Sequence, residues 1–284
     1  MSTSPRVASL HLYPLKGARA IDVEEALVTP RGIEGDRRYM VVDQDGVFVS
    51  QREAPRLALV TALPGPSGLR LGTPGRCWLE VPLIDAEDAL RVVRLWAGTC
   101  VGADQGDVAA DWLSEWLERP CRLVWQPEGA RRGVDQRYAL SERDLVSFAD
   151  GYPLLVCSST SLAALNQHLE VAIPMNRFRP NLVVEGWVDP WYEDRVARLR
   201  AGEVHLSLVK QCARCVVTTV DQRTGEAGRE PLRTLARIRR GERGAMFGEN
   251  AIPSVVGRVA VGDPVRVVEV RDREREPVWT AAET

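Results

Sequence analysis

The chain has 284 residues, enough for about two domains at ~150 residues each or for one large one. Lys+Arg total 37 against Asp+Glu 39, a net charge of −2, which excludes the clustered positive charge of a general nucleic-acid binder. Hydrophobic residues at 45% and charged residues at 27% can build a real core, and only two of the 37 basic residues are lysines, Lys16 and Lys210.

In chain order, residues 7–13 alternate as a strand until Pro14 and Gly17 break it. Residues 38–43 and 47–49 predict a hairpin turned at Asp45-Gly46. The Pro/Gly cluster over 64–75 suits loops between short strands. A strand over 89–96 follows, then a helix over 107–118 with Val108, Trp112, Trp116 and Leu117 on one face and Pro120 as its stop. Leu123-Val-Trp125 resumes strand character and marks the crossing into a second half.

Beyond a polar, Arg-rich stretch (127–143), residues 153–157 read as a buried strand. Ser158 or Ser159 can cap a helix over 161–169. Residues 181–185, 203–209 and 216–220 read as β-branched strands, 232–240 as a helix, and 262–268 as a terminal strand. The fold class expected is mixed and mainly β: two β-barrel-like domains with a few short helices, over 5–124 and 125–270, with a loose charged tail at 271–284.

The N-terminus lacks the apolar core of a signal peptide, and no run of ~18 apolar residues could span a membrane. The six cysteines (Cys77, Cys100, Cys121, Cys157, Cys212, Cys215) are not needed as staples in a chain of this size. A cytoplasmic protein with reduced thiols is the expectation, without nucleic acid or membrane as a partner.

The sharpest local feature is Lys210-Gln-Cys212-Ala-Arg-Cys215-Val-Val-Thr-Thr-Val-Asp221. A structural zinc site would need further ligands, with His205 the nearest candidate. A thioredoxin-like motif should open a helix, whereas β-branched residues follow here. A single thiolate flanked by Lys210 and Arg214 could serve as nucleophile or soft-metal ligand. Two buried cysteines near a strand start is the ordinary reading if the segment stood alone. His11, His168 and His205 have no triad-like surroundings, and no dinucleotide or P-loop glycine pattern occurs.

The segment does not stand alone. Leu12-Tyr-Pro-Leu-Lys16-Gly17, Gly32-Ile-Glu-Gly-Asp36-Arg37, Asn176-Arg-Phe-Arg179-Pro-Asn181, the cysteine block and Phe247-Gly-Glu-Asn250 occur in that order. Together they resemble the MOSC family in its arrangement with an N-terminal β-barrel domain, as in bacterial YcbX-type proteins and mitochondrial amidoxime-reducing components. The resemblance runs from about Val7 to Val270.

It implies a molybdenum–molybdopterin cofactor between two β-rich domains, with Cys215 as the metal ligand and catalytic residue. Its anion-binding positions fall on Lys16, Arg37, Arg179 and Arg214. Gly151, Tyr152 and Asn250 match further cofactor contacts. Gly17 and Ala213 stand where relatives carry serine. Cys212 matches a position that is not the ligand. Some relatives continue into a ferredoxin domain, but no cysteine follows Cys215, so electrons are expected from a separate protein: a ferredoxin, a flavodoxin, or a cytochrome b5 with its reductase. The function implied is reduction of small N-hydroxylated substrates such as hydroxylamines, amidoximes and N-hydroxy nucleobases. The alternative is a carrier or store of molybdopterin without turnover; sulfur transfer through a persulfide on Cys215 is a third reading.

Overall fold

A computed structural model describes residues 4–242 and 244–271; the tail expected to be loose lies outside the described residues from 272 onward. The architecture is mainly β. A nine-stranded sheet carries the molecule, in the order Val265–Val270, Val196–Ala201, Val204–Ala213, Gly244–Val255, Leu154–Ser158, Leu182–Glu185, Arg6–Leu12 and Ile21–Val23, with Arg240–Gly241 paired to the side of Gly244–Val255. Leu154–Ser158 and Leu182–Glu185 run parallel, joined through the helix Ser159–Asn166, and the other neighbours are antiparallel. A four-stranded sheet (Tyr39–Val42, Arg122–Trp125, Gly98–Asp104, Leu90–Leu95) and two three-stranded sheets complete the framework. No sheet among the described residues closes on itself, so the barrels are open.

The strand Arg6–Leu12 belongs to the large sheet, next to Leu182–Glu185, although the sequence places it in the first half. Glu25–Thr29 likewise pairs with Gly257–Ala260. One hydrophobic core therefore joins Val7, Leu10, Val28 and Ile33 to Leu154, Val184, Leu206 and Val259. A separate core gathers Leu15, Val41, Leu57, Leu71, Leu113 and Leu123 under the helix Asp107–Leu117. The expected boundary near residue 124 thus separates most of two cores. Of the first 33 residues, Val7, Leu10, Leu12, Ala26, Val28 and Ile33 pack with the second-half strands, whereas Leu15 and Ala18 pack in the other core.

Several expected elements shift. Residues 216–220 are not a strand: Val216–Thr219 form one 3-10 turn. Hydroxyls decide this, because Thr218 Oγ1 donates to the Cys215 carbonyl at 2.9 Å and Thr219 Oγ1 to that of Val216 at 2.7 Å, which bends β-branched residues back on themselves. The second helix starts and ends earlier than expected, at Ser159–Asn166, with Ser158 Oγ accepting from the Thr160 amide at 3.2 Å. His168 is consequently beyond that helix. Within the Pro/Gly cluster, Thr61–Gly65 and Gly68–Gly72 pair as a hairpin. The strand before the cysteines runs on to Ala213, so Cys212 is its next-to-last residue and Cys215 follows it.

Candidate functional site

Five loops converge on one cleft of about 870 Å³ of open space. The first carries Lys16 and Gly17 just after Arg6–Leu12, and the second carries Arg37 just before Tyr39–Val42. They run side by side: the Lys16 amide donates to the Tyr39 carbonyl at 2.8 Å and the Arg37 amide to that of Tyr13 at 2.7 Å. The third brings Asp150, Gly151 and Tyr152, the fourth Arg179, and the fifth Cys212 to Cys215. Asn250 reaches the cleft from the middle of Gly244–Val255. All ten residues expected from the sequence (Lys16, Gly17, Arg37, Gly151, Tyr152, Arg179, Ala213, Arg214, Cys215 and Asn250) line this one space.

Its cations are held by different means. Met175–Arg177 make a single helical turn, and Arg179 ends it in the left-handed region at φ +56 before Pro180 forbids continuation. Arg37 is left-handed too, at φ +48. Both guanidinium groups lie 4.4 Å from the ring of Tyr13, a buried aromatic. Such conformations cost energy for a non-glycine residue and persist where surroundings over-determine them.

Asn181 ties these loops together. Its Oδ1 accepts from Arg37 Nη1 at 2.9 Å and from the Leu155 amide at 3.2 Å, while Nδ2 donates to the His11 carbonyl at 3.2 Å. Arg177, the first arginine of the block, is 7% exposed and donates to the carbonyls of Thr218 and Glu230, so it braces the turn behind Cys215 rather than the cleft.

Charge compensation separates the four cations. Arg37 pairs with Asp36. Lys16 is 5% exposed, and its ammonium pairs with Asp150 and lies 4.7 Å from the Phe48 ring. Burial brings Lys16 down to about 8, against the opposing pull of Asp150. Burial works to raise Asp150, yet Lys16 holds it well below the usual carboxylate range. Arg214 donates to the Phe178 carbonyl at 2.7 Å and to Cys212 Sγ at 2.8 Å, and its Nε has no partner.

Arg179 has no carboxylate partner among the described residues. Its Nη1 donates to the Ala18 carbonyl at 2.7 Å and to Gln222 Oε1 at 3.3 Å, and its buried Nη2 has no partner. Burial pushes its guanidinium down to about 10. A half-buried guanidinium with no salt-bridge partner among the described residues and a buried, unused donor is suited to an anion.

The cysteines differ as well. Burial pushes the Cys212 thiol up, with Arg214 pulling the other way. Cys215 is half-buried at the start of its 3-10 turn. No group of three or more His, Cys, Asp or Glu able to hold a metal exists among the described residues. His205 pairs with Val255 at the far end of the strand, so the zinc reading finds no ligand set. A turn, not an α-helix, follows Cys215, which removes the thioredoxin-like reading.

Sequence reasoning missed several cleft residues: Phe48, Gln51, Trp96 and the part played by Asp150. Gln51 and Gln222 form a reciprocal amide pair, 3.1 and 3.2 Å, and Gln51 Nε2 also donates to the Gly17 carbonyl at 2.6 Å. No motif marks these residues, because their partners lie 171 positions apart. Lys210 does not line the cleft; its ammonium lies 4.7 Å from the Tyr138 ring.

Residues 4–120 match the MOSC N-terminal beta barrel domain and residues 143–266 the MOSC domain. The chain belongs to the MOSC family. This MOSC protein is 33% identical over 276 residues to Mitochondrial amidoxime-reducing component 1 of Homo sapiens, across 91% of this chain and 82% of that one. It is 34% identical over 276 residues to the protein of the same name from Mus musculus, across 91% and 81%. Mitochondrial amidoxime reducing component 2 of Homo sapiens is 33% identical over 276 residues, across 91% and 82%. The five motif blocks and the N-terminal domain are accounted for together by this membership. No helix among the described residues of this MOSC protein is long and apolar enough to cross a membrane.

Proposed function

We propose that the chain is a reductase of N-hydroxylated compounds, among them hydroxylamines, amidoximes and N-hydroxy nucleobases, that uses a molybdenum–molybdopterin cofactor and a separate electron-donor protein. The observation that carries this reading is Arg179, whose guanidinium, with a buried and unpartnered Nη2, shares one cleft with the Cys215 thiol. The name amidoxime-reducing, borne by relatives that align over most of both chains, supports the substrate class.

The donor set fits a group with a phosphate at one end and a soft metal at the other. Arg179 Nη2 and Arg214 Nε lack acceptors, which phosphate oxygens would supply. Lys16 and Arg37 add positive charge, and the cleft positions Gly17, Gly151, Tyr152, Ala213 and Asn250 would face the same group. Space is open beside Gly151, where an added Cβ would meet nothing within 4 Å. The Cys215 sulfur is the soft ligand this chain offers, and the cofactor, when bound, supplies two-electron oxygen-transfer chemistry.

The overall change is R–NHOH + 2 e⁻ + 2 H⁺ → R–NH₂ + H₂O. The N–O bond breaks, nitrogen takes one proton, and oxygen leaves as water with the other. The residues of the chain bind and orient; the donor protein provides the electrons.

The test is single-turnover conversion of benzamidoxime to benzamidine by the chemically reduced, cofactor-loaded protein. Wild type should turn over, and Cys215→Ala should fall below detection while retaining pterin through the arginine contacts. Full turnover in Cys215→Ala would sink the assignment. Wild-type protein that carries cofactor without turnover would favour the carrier reading, and turnover with NADH alone would remove the separate donor.

A further inference from the structure

Trp96 lines the cleft without being one of its cofactor-binding positions. It stands at the tip of the hairpin Leu90–Leu95 and Gly98–Asp104, whose register pairs Leu95 with Gly98 and leaves Trp96-Ala97 as a two-residue loop. Loops of this length place glycine, asparagine or aspartate where φ is positive. Trp96 has φ +58. A bulky side chain in the left-handed region is strained, and the indole is still 43% exposed, so burial does little to offset the strain.

The ring is nonetheless fixed. Its Nε1 donates to Asp150 Oδ1 at 3.1 Å, and the same carboxylate holds the Lys16 ammonium. Phe48 meets the indole nearly edge-on, with centroids 5.6 Å apart and planes at 82°. The Arg52 guanidinium lies 4.5 Å from its centroid. A strained, partly exposed aromatic held by Asp150, Phe48 and Arg52 lines the cleft.

We propose that Trp96 is a stacking platform at the mouth of the cleft, which selects planar aromatic N-hydroxylated compounds over aliphatic ones. The inference rests on the reductase reading and names its preferred substrate class. The part of the indole left exposed beside Arg52 and Lys16 offers aromatic surface on which a flat ring can stack, and fixing it beforehand lowers the ordering cost on binding. Asp150 and Phe48 set the plane, and the turn strain is retained because glycine at this position would supply the bend but no ring.

Isothermal titration with benzamidoxime and with acetamidoxime measures the preference without turnover. Trp96→Gly removes the ring and relieves the turn; Trp96→Phe keeps an aromatic face. Trp96→Gly should unfold at the same or a higher temperature, while the ratio of benzamidoxime to acetamidoxime affinity falls by roughly 5- to 100-fold, as for loss of one stacked ring. Trp96→Phe should keep most of the ratio. An unchanged ratio in Trp96→Gly, an equal loss for both ligands, or no aromatic preference in wild type overturns the platform. So does a fall in pterin content in Trp96→Gly, which would make the indole a cofactor contact. A calorimetric preference in a wild-type protein that reduces neither amidoxime would support the platform and count against the reductase reading alone.

Discussion

Lys16 shows why one of two lysines among so many arginines stays a lysine. Its ammonium is enclosed by Phe48 at 4.7 Å, Trp96 at 5.9 Å and Asp150, with the side chain 7% exposed. A compact charge fits there, and a guanidinium fork adds atoms that a packed site resists at a cost of about 1–3 kcal/mol. Gly17 beside it is equally constrained: φ is +82, and an added Cβ would meet Leu57 Cδ2 at 2.6 Å. A serine at this position is therefore disfavoured by Leu57 and by backbone conformation together. Because burial brings Lys16 down to about 8, its charge is present below that pH and lost above it. Titration with inorganic phosphate should accordingly show affinity weakening as pH rises through about 8. Lys16→Arg should bind phosphate about 5-fold or more weakly at pH 7, without that step, since guanidinium stays protonated. Equal affinity in the two proteins, or the same step in both, would remove Lys16 from the anion site.

At the scale of elements, the cleft is set by loop ends, and those ends are held by contacts between distant segments. Gln51 and Gln222 bond to each other and then to the Gly17 carbonyl and Arg179 Nη1, so one amide pair fixes two anion-binding loops. Gln222→Leu leaves Gln51 with unmade hydrogen bonds in a buried place and should cost about 1–3 kcal/mol in chemical unfolding. Phosphate affinity should fall with it, through Arg179. The double variant Gln51→Leu/Gln222→Leu should recover part of the stability, since removing both partners leaves fewer orphans; strictly additive losses would show that the two amides do not act as a unit. Such pairs explain what sequence reading could and could not reach. Strands with simple alternation and the helix ended by Pro120 were legible because periodicity is local, and the ten cleft residues were reached through the resemblance to the MOSC family. The 3-10 turn after Cys215 was not, since β-branched residues read as strand until the hydroxyls of Thr218 and Thr219 are seen to bond backwards. Trp96, Gln51 and Asn181's bridging role depend on partners brought near only by the fold.

The whole molecule is interleaved, since Arg6–Leu12 lies in the large sheet between Leu182–Glu185 and Ile21–Val23. That sheet covers a second polar cluster, away from the cleft lining, in which Glu193 and Glu249 are both fully buried. Glu193 Oε2 accepts from Ser161 Oγ at 2.7 Å, and Glu249 Oε2 accepts from Arg271 Nη2 at 2.9 Å; the Oε1 atom of each has no partner. Asp194, paired with Arg239, adds a further charge beside them. Burial raises Glu193 to about 7 from 4.5, helped by Asp194 and opposed by the bond from Ser161 and by Arg239. A carboxyl raised in the folded state holds its proton there while the unfolded chain has released it. Its contribution to stability is therefore complete below about 4.5 and is lost as pH rises through about 7. Glu249 is raised in the same direction, so the pair acts together. Glu193→Gln keeps an acceptor for Ser161 and puts an amide where the proton would sit. Thermal unfolding from pH 5 to pH 8 should then fall less steeply in the variant, with a gain of up to about 3 kcal/mol over wild type at pH 8 and near equality at pH 5. Identical pH slopes in the two proteins would mean that Glu193 carries no proton in the folded chain and that its unpartnered oxygen is satisfied in another way.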